Sequence, residues 1–316
     1  MNQNSKQFIR GLVNFPVSSQ GSVVTIGSFD GVHRGHRAIL EQVKACAEAA
    51  GLPSIAMIFE PQPQEYFSGE QAPARLMRMR EKVEALFEQG VDQICCLQFN
   101  RSLRSLSAEA FINRVLVEGL AVRHLVVGDD FRFGCDRSGD YSMLQAAGER
   151  YGFSVQDTPT VEYQGQRISS TWVRKALDDA DFELVEQLLG KHYQITGRVV
   201  YGQQLGTKLG IPTANVRLNR YRVPLNGVYA VETLVDGKWY QGAANVGIRP
   251  TVGDLIKPVL EVHLFGLNRV LYRKQIVVRF RSRIRDEKKF ASLDDMVAAI
   301  KQDFEVAKQY FGQKTD

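Results

Sequence analysis

The chain has 316 residues, 44% apolar and 24% charged, with a formal net charge of +5, which is room for two ordinary globular domains. No run approaches the ~20 apolar residues of a membrane span, and MNQNSKQFIR lacks the apolar core of a signal peptide, so a cytoplasmic protein with no membrane partner is expected. The charge is mild and unclustered, which suits small anions at least as well as nucleic acid, and the aromatic–basic interleaving of common RNA modules is missing, so no nucleic-acid partner is expected.

Residues 22–161 alternate strand and helix patterns. The run Val23-Val24-Thr25-Ile26 predicts a buried strand over 22–29. It breaks into Gly27, Asp30, Gly31 and Gly35 and leaves as a helix over 36–50, ended by Gly51. A second strand covers SIAMIFE, 54–60, and a loop with Pro61, Pro63 and Pro73 follows. A helix over 81–89 stops at Gly90, and a third strand covers 93–99. Ser107 is a plausible N-cap for a helix through Glu118. A strand at 124–128, a helix at 141–151 and a fifth strand at 153–157 complete the series. This alternation predicts an α/β fold, a doubly wound parallel sheet that binds ligands beyond the carboxyl ends of its strands. Segments 27–36 and 128–134 both lie at such ends.

A short amphipathic helix over 181–189 ends at Gly190, and the pattern then changes. Strands are expected at 193–200, 228–234, 238–242, 260–265 and 276–281, with Asp236-Gly237 as a type I′ hairpin turn. Ser292 caps a last helix running through 311. The second half therefore reads as a small antiparallel β-barrel with a C-terminal helix. The boundary falls near 186–192, giving domains of 1–187 and 188–316. Cys46, Cys95, Cys96 and Cys135 form no CxxC pair and read as reduced and buried.

Four stretches carry chemistry. TIGSFDGVHRGH, 25–36, is a strand ending in a glycine-rich turn that opens a helix, a natural phosphate site. Gly27, Gly31 and Gly35 let the backbone approach a ligand; Phe29 and Asp30 share the turn. His33 and His36 can donate to phosphate oxygens; the bland alternative is a turn with two solvated histidines. No GxxxxGK[ST] or GxGxxG occurs. The second stretch, GRVVYGQQLGTKLGIPTAN, 197–215, has Gly202, Gly206 and Gly210 in a loop whose amides can meet phosphates. Thr213 and Asn215 follow, hard oxygen donors suited to Mg²⁺ between nucleotide phosphates. In ISSTWVR, 168–174, Ser169, Ser170 and Thr171 can cap a helix that begins near Trp172 and carries Arg174. On an alternating strand, Glu261 and His263 share a face.

HxGH after a first strand resembles the nucleotidyltransferase signature, and the longer FDGVHRGH, 29–36, resembles the bacterial bifunctional flavokinase/FAD synthetase family. ISSTxxR resembles that family's mobile phosphate-binding element. FEPQP, 59–63, and GDDFRFG, 128–134, match two further segments, as do the GxxLGxxLG-IPTAN stretch, GVYA at 227–230, NVGIRPT at 245–251 and RIRDEKKF at 283–290. The resemblance spans residues 22 to about 310. It implies a bifunctional enzyme that phosphorylates riboflavin to FMN and adenylylates FMN to FAD, using ATP and Mg²⁺ in both steps.

On that resemblance, His33, His36, Arg174 and the hydroxyls of 169–171 grip the triphosphate, and Glu261 is the kinase base. Phe59, Asp130, Arg249 and Arg285 fall in flavin-binding segments. Phe131 and Phe133 are either core residues on alternate faces or flank the isoalloxazine, the resemblance favouring at least one at the flavin. Two departures stand out. FEPQP lacks the imidazole of the family's FDPHP, and Tyr272 precedes Arg273 where the family has glycine, so that turn must differ. The rivals are a transferase for another phosphate and a flavin sensor; intact Thr213, Asn215 and Glu261 speak against the sensor. Oligomeric state is left open.

Overall fold

The computed structural model describes residues 6–16, 20–128, 130–202, 209–250 and 256–312. The chain divides into two compact units: Met1–Pro73 with Met79–Ser170, and Ala74–Arg78 with Thr171–Asp316.

The first unit is built on a six-stranded parallel sheet. In chain order it contains β1 (Gln7–Arg10), β2 (Ser22–Ile26), α1 (Arg34–Ala50), β3 (Ser54–Glu60), α2 (Pro63–Ser68), α3 (Met79–Glu88) and β4 (Gln93–Gln98). The short α4 (Arg101–Arg104) and α5 (Ala108–Phe111), β5 (Val122–Gly128), α6 (Tyr141–Tyr151), β6 (Ser154–Thr158) and a small hairpin of β7 (Glu162–Tyr163) and β8 (Gln166–Arg167) follow. The strand order is β1-β4-β3-β2-β5-β6. From β2 the chain winds outward through β3 and β4, then restarts on the other side at β5. The reversal therefore lies between β2 and β5, where a doubly wound sheet opens a crevice. All five residues of β2 are buried, as expected of a parallel strand covered on both faces.

Local chemistry moves several boundaries away from the sequence reading. α1 begins at Arg34, two residues early, because the His33 side chain itself caps it by accepting the His36 N–H at 3.3 Å. Ser107 does cap its helix, accepting from Ala110 N at 3.1 Å. After Phe111 that helix is wound as a π-helix over Ile112–Val117. Strand β1 is new to the structure; its four residues pair with β4 at the sheet edge, too short a stretch to show a period.

The second unit opens with α7 (Ser170–Asp178), whose first residue closes the first unit, and α8 (Phe182–Leu189). The helix predicted from Trp172 thus starts earlier. A closed antiparallel barrel follows, of order β10-β13-β12-β11-β14-β9. Its strands are β9 (Gln194–Val200), β10 (Ala214–Arg217), β11 (Gly227–Val235), β12 (Lys238–Pro250), β13 (Ile256–Leu264) and β14 (Gln275–Arg285), and α9 (Leu293–Tyr310) ends the unit. The predicted turn is present, with Asp236 at φ 49° and Gly237 at φ 80° between Val235 and Lys238, which pair.

Here the sequence reading underestimates the strands. Asn215, outside the expected strands, lies on β10, and β12, expected to stop at Gly242, continues to Pro250. ANVR is only four residues long and the β12 extension carries Gly247 and Pro250, so both stretches are held by cross-strand pairing rather than by their own propensity. In the turn at Tyr272, Arg273 takes the left-handed φ of 68° that glycine adopts freely. Cysteine burial also needs correction, since Cys95 and Cys96 are buried but Cys46 and Cys135 are only half-buried. Among the described residues no helix is long and apolar enough to cross a membrane.

Candidate active sites

In the first unit, the residues after β2, β3, β5 and β6 line one cleft of about 560 Å³. The chain leaves β2 through a tightly coiled turn, with Phe29 at φ 45°, Gly31 at φ 91° and Val32 at φ 43°. Two non-glycine residues in left-handed backbone store strain that the surrounding packing has to hold. Phe29 and Val32 are each 1% exposed, which is how the turn is held. Gly27 and Gly35 line the cleft; a Cβ on either would press on the Phe29 or His33 ring at 3.0 or 3.2 Å. Asp30 is buried beneath the turn, and its carbonyl accepts the Ser170 hydroxyl at 2.8 Å.

His33 and His36 are stacked, 3.6 Å between ring centroids, with Phe29 5.1 Å from His36. His33 Nδ1 accepts the His36 N–H, so in the neutral ring Nε2 carries the hydrogen. His36 keeps some surface in the cleft, while its Nδ1 is cut off from solvent and has no hydrogen-bond partner. Burial first, and the neighbouring His33 second, hold its pKa well below the ordinary 6.5, so it is neutral at pH 7. A solvated pair of histidines does not fit this geometry.

Across the cleft lie Phe59, Asp130 and Phe131, with Ser169 and Ser170 at its edge. Phe133 does not line it. That ring is 6% exposed, belongs to the core and stacks on Phe131 with centroids 5.6 Å apart. Arg132, Arg137 and Arg167 also line the cleft, the first bonded to Asp140 at 3.1 Å and the last to Asp130 at 2.9 Å. Sequence reasoning passed over these arginines, although Arg132 stands inside GDDFRFG and Arg167 just before ISST. Thr171 and Arg174 belong to the second unit, where Arg174 Nε donates to the Ala74 carbonyl at 2.6 Å.

The barrel holds the second site, a cavity of about 330 Å³ lined by Thr213, Asn215, Asn245, Glu261 and His263, with Arg285 from the end of β14 and Phe290 from beyond it. Register explains the grouping. Asn215 on β10 and Asn245 on β12 are both paired with Glu261 on β13, so Asn–Glu–Asn forms one rung across three strands. Asn245 was quoted only as part of a longer segment in the sequence; a four-residue β10 gave no register from which to find the rung. Gly202 is packed so close to Asn215 that a Cβ there would lie 2.3 Å from its side-chain nitrogen. Gly210 takes φ 74° in the turn before β10, and Gly206 lies outside the described residues. Arg249 pairs with Lys257 along β12, and its side chain lies outside what is described. Arg285 is fixed by two 2.8 Å bonds to Asp303 of α9.

Two family models match the chain: FAD synthetase over residues 16–172 and riboflavin kinase over 189–311. A protein of Pseudomonas fluorescens named bifunctional riboflavin kinase/FMN adenylyltransferase is 52% identical over 96% of this chain and 97% of its own. An Escherichia coli K12 protein of the same name is 49% identical over 97% and 98%. A crystal structure described as a macrolide-efflux protein from Streptococcus pneumoniae is 28% identical, with a TM-score of 0.80 over 95% of this chain and 98% of that one.

Proposed function

The chain belongs to the family of bifunctional riboflavin kinase/FMN adenylyltransferases, and from that premise we propose that the cleft beyond β2 and β5 adenylylates FMN while the barrel cavity phosphorylates riboflavin. The observation that carries this division is the Asn215–Glu261–Asn245 rung, which gathers the kinase motifs inside one barrel. We assign residues 1–187 to the first activity and 188–316 to the second.

In the cleft, the FMN phosphate attacks the α-phosphorus of ATP; a P–O bond forms, the α–β bridge breaks, and pyrophosphate leaves. The nucleophile is already an anion, so no base is required, and catalysis is positioning and charge neutralisation. Gly27, Gly31 and Gly35 shape the turn. His33 donates from Nε2, and neutral His36 donates without adding a buried charge. Arg132, Arg137 and Arg167 offset the phosphate charge, and Ser169 and Ser170 hold the triphosphate. Phe59, Asp130 and Phe131 receive the flavin, with Phe133 acting as backing for Phe131.

In the barrel, Glu261 takes the proton of the riboflavin 5′-hydroxyl as that oxygen attacks the γ-phosphorus, and ADP leaves. Arg285 and Phe290 face the flavin, and Arg249 is assigned to flavin binding on the resemblance of NVGIRPT alone. Among the described residues no group of three or more His, Cys, Asp or Glu could hold a metal ion. Thr213 and Asn215 offer oxygens that fit Mg²⁺ shared with nucleotide phosphates, the usual habit of that ion, which would neutralise phosphate charge.

A fragment of residues 171–316 is expected to fold and to convert riboflavin to FMN, but not to FAD. Starting instead at 188 removes Phe182, whose ring meets Tyr229 edge-on at 5.8 Å, and buried Val185. That should cost about 3 kcal/mol by lost apolar burial while leaving the activity. Circular dichroism, thermal melts and chromatography of the flavins check both. A folded 171–316 fragment that makes no FMN would sink the assignment.

A further inference from the structure

His263 lines the barrel cavity but has no part in the chemistry above. The β10–β13 ladder ends at Ala214 opposite Val262. One rung further, Thr213 and Pro212 would have to be tied down in another way, because Pro212 has no N–H to give a ladder. The His263 side chain supplies the tie: its Nδ1 lies 2.8 Å from the Pro212 carbonyl oxygen. A carbonyl only accepts, so Nδ1 must carry the hydrogen and donate. The imidazole is itself held in place. Phe304 of α9 stacks on it, with centroids 4.3 Å apart and planes 13° from parallel, and Phe265 meets it edge-on at 5.8 Å. Burial lowers the pKa of this ring, which keeps it neutral at pH 7 and compatible with an aromatic partner.

We propose that His263 is a positioning residue of the kinase site: it replaces the missing rung beyond Ala214, fixes the peptide between Pro212 and Thr213, and so sets the oxygens of Thr213 and Asn215 that receive the nucleotide phosphates. Through Phe304 it makes the C-terminal helix part of that grip. This rests on the reading of Thr213 and Asn215 given above. A side chain serving only to fill the barrel would need its ring but not its donor.

Three variants separate those roles. His263→Phe keeps a ring on Phe304 and loses the donor. His263→Asn keeps a donor near the Nδ1 position and loses the ring. Thr213→Ala tests the underlying reading. In riboflavin phosphorylation by the full-length enzyme, His263→Phe should raise the KM for ATP and the half-saturating Mg²⁺ concentration by up to about tenfold, the net worth of one well-placed hydrogen bond. Riboflavin affinity without nucleotide, read by fluorescence quenching, should stay within about twofold, because the carbonyl concerned orders the phosphate side. His263→Asn should recover most of the ATP and Mg²⁺ dependence. Unchanged ATP and Mg²⁺ dependence in His263→Phe, or equal impairment in both His263 variants, overturns the proposal. If His263→Phe fails to fold, a His263→Asn enzyme that folds yet grips ATP poorly overturns it equally. A harmless Thr213→Ala removes the reading underneath; a harmful Thr213→Ala beside a harmless His263→Phe removes only the positioning role.

Discussion

Replacing His36 by alanine should abolish FAD formation and leave riboflavin phosphorylation largely intact. The imidazole is placed for this: it lies in the first turn of α1, is wedged between His33 and Phe29, and reaches the cleft uncharged. Loss of one preorganised donor to a charged transition state typically costs ~10²–10³ in rate, and the kinase residues Thr213, Asn215 and Glu261 belong to the other unit. A pH signature accompanies the change. The folded pKa of His36 is depressed, so between that value and the ordinary 6.5 the unfolded chain binds a proton the folded chain refuses. Stability therefore rises with pH across that window and falls as pH is lowered through it. The variant should lose less stability than the parent on acidification below 6.5. A matching collapse of kinase turnover would mean that the two sites are not separable.

Glu261→Gln should do the reverse. The 5′-hydroxyl of riboflavin is a poor nucleophile at neutral pH. Thr213, Asn215 and Asn245 surround the site with oxygen and amide groups, none able to accept a proton at pH 7. Glu261, flanked in register by both asparagines, is the group of the rung that can. Glutamine keeps the shape and removes the basicity. Kinase turnover should fall by ~10²–10⁴, the usual worth of general-base catalysis. Riboflavin and ATP binding should change much less, because the lost interaction acts mainly in the transition state. Conversion of supplied FMN to FAD should survive. Steady-state kinetics on each flavin, with riboflavin affinity from fluorescence quenching, decide it; near-normal turnover returns Glu261 to an ordinary strand face.

Much of this was legible in the residues, for identifiable reasons. The buried run 23–26 and its glycine break announce a parallel strand opening onto a helix, and Asp236-Gly237 announces a hairpin. Both are local signals, and both hold. What the sequence hides is register. Asn245 lies thirty residues from Asn215 in the chain, and only the pairing of β10, β13 and β12 brings the two to either side of Glu261. The same limit applied to Phe131 and Phe133: the residues alone do not say which of the two rings is free for a ligand, and only the packed core shows that Phe131 meets the cleft while Phe133 lies behind it. His33 illustrates a third kind of blindness. Histidine is not among the residues expected to cap a helix, so its role as cap, which also fixes its tautomer, was invisible until the Nδ1 contact with His36 N was seen.

The central claim is that two chemically independent sites share this chain, and mixing the two variants tests it most directly. His36→Ala alone, given riboflavin and ATP, should stop at FMN. Glu261→Gln alone should leave riboflavin almost untouched. Equal amounts of both in one vessel should produce FAD, as FMN released by the first enzyme is adenylylated by the second. Chromatography of the flavins after incubation reads the outcome. FAD from the mixture and from neither variant alone is the predicted result; a mixture of two folded variants that accumulates FMN without FAD, or makes neither, would contradict the account.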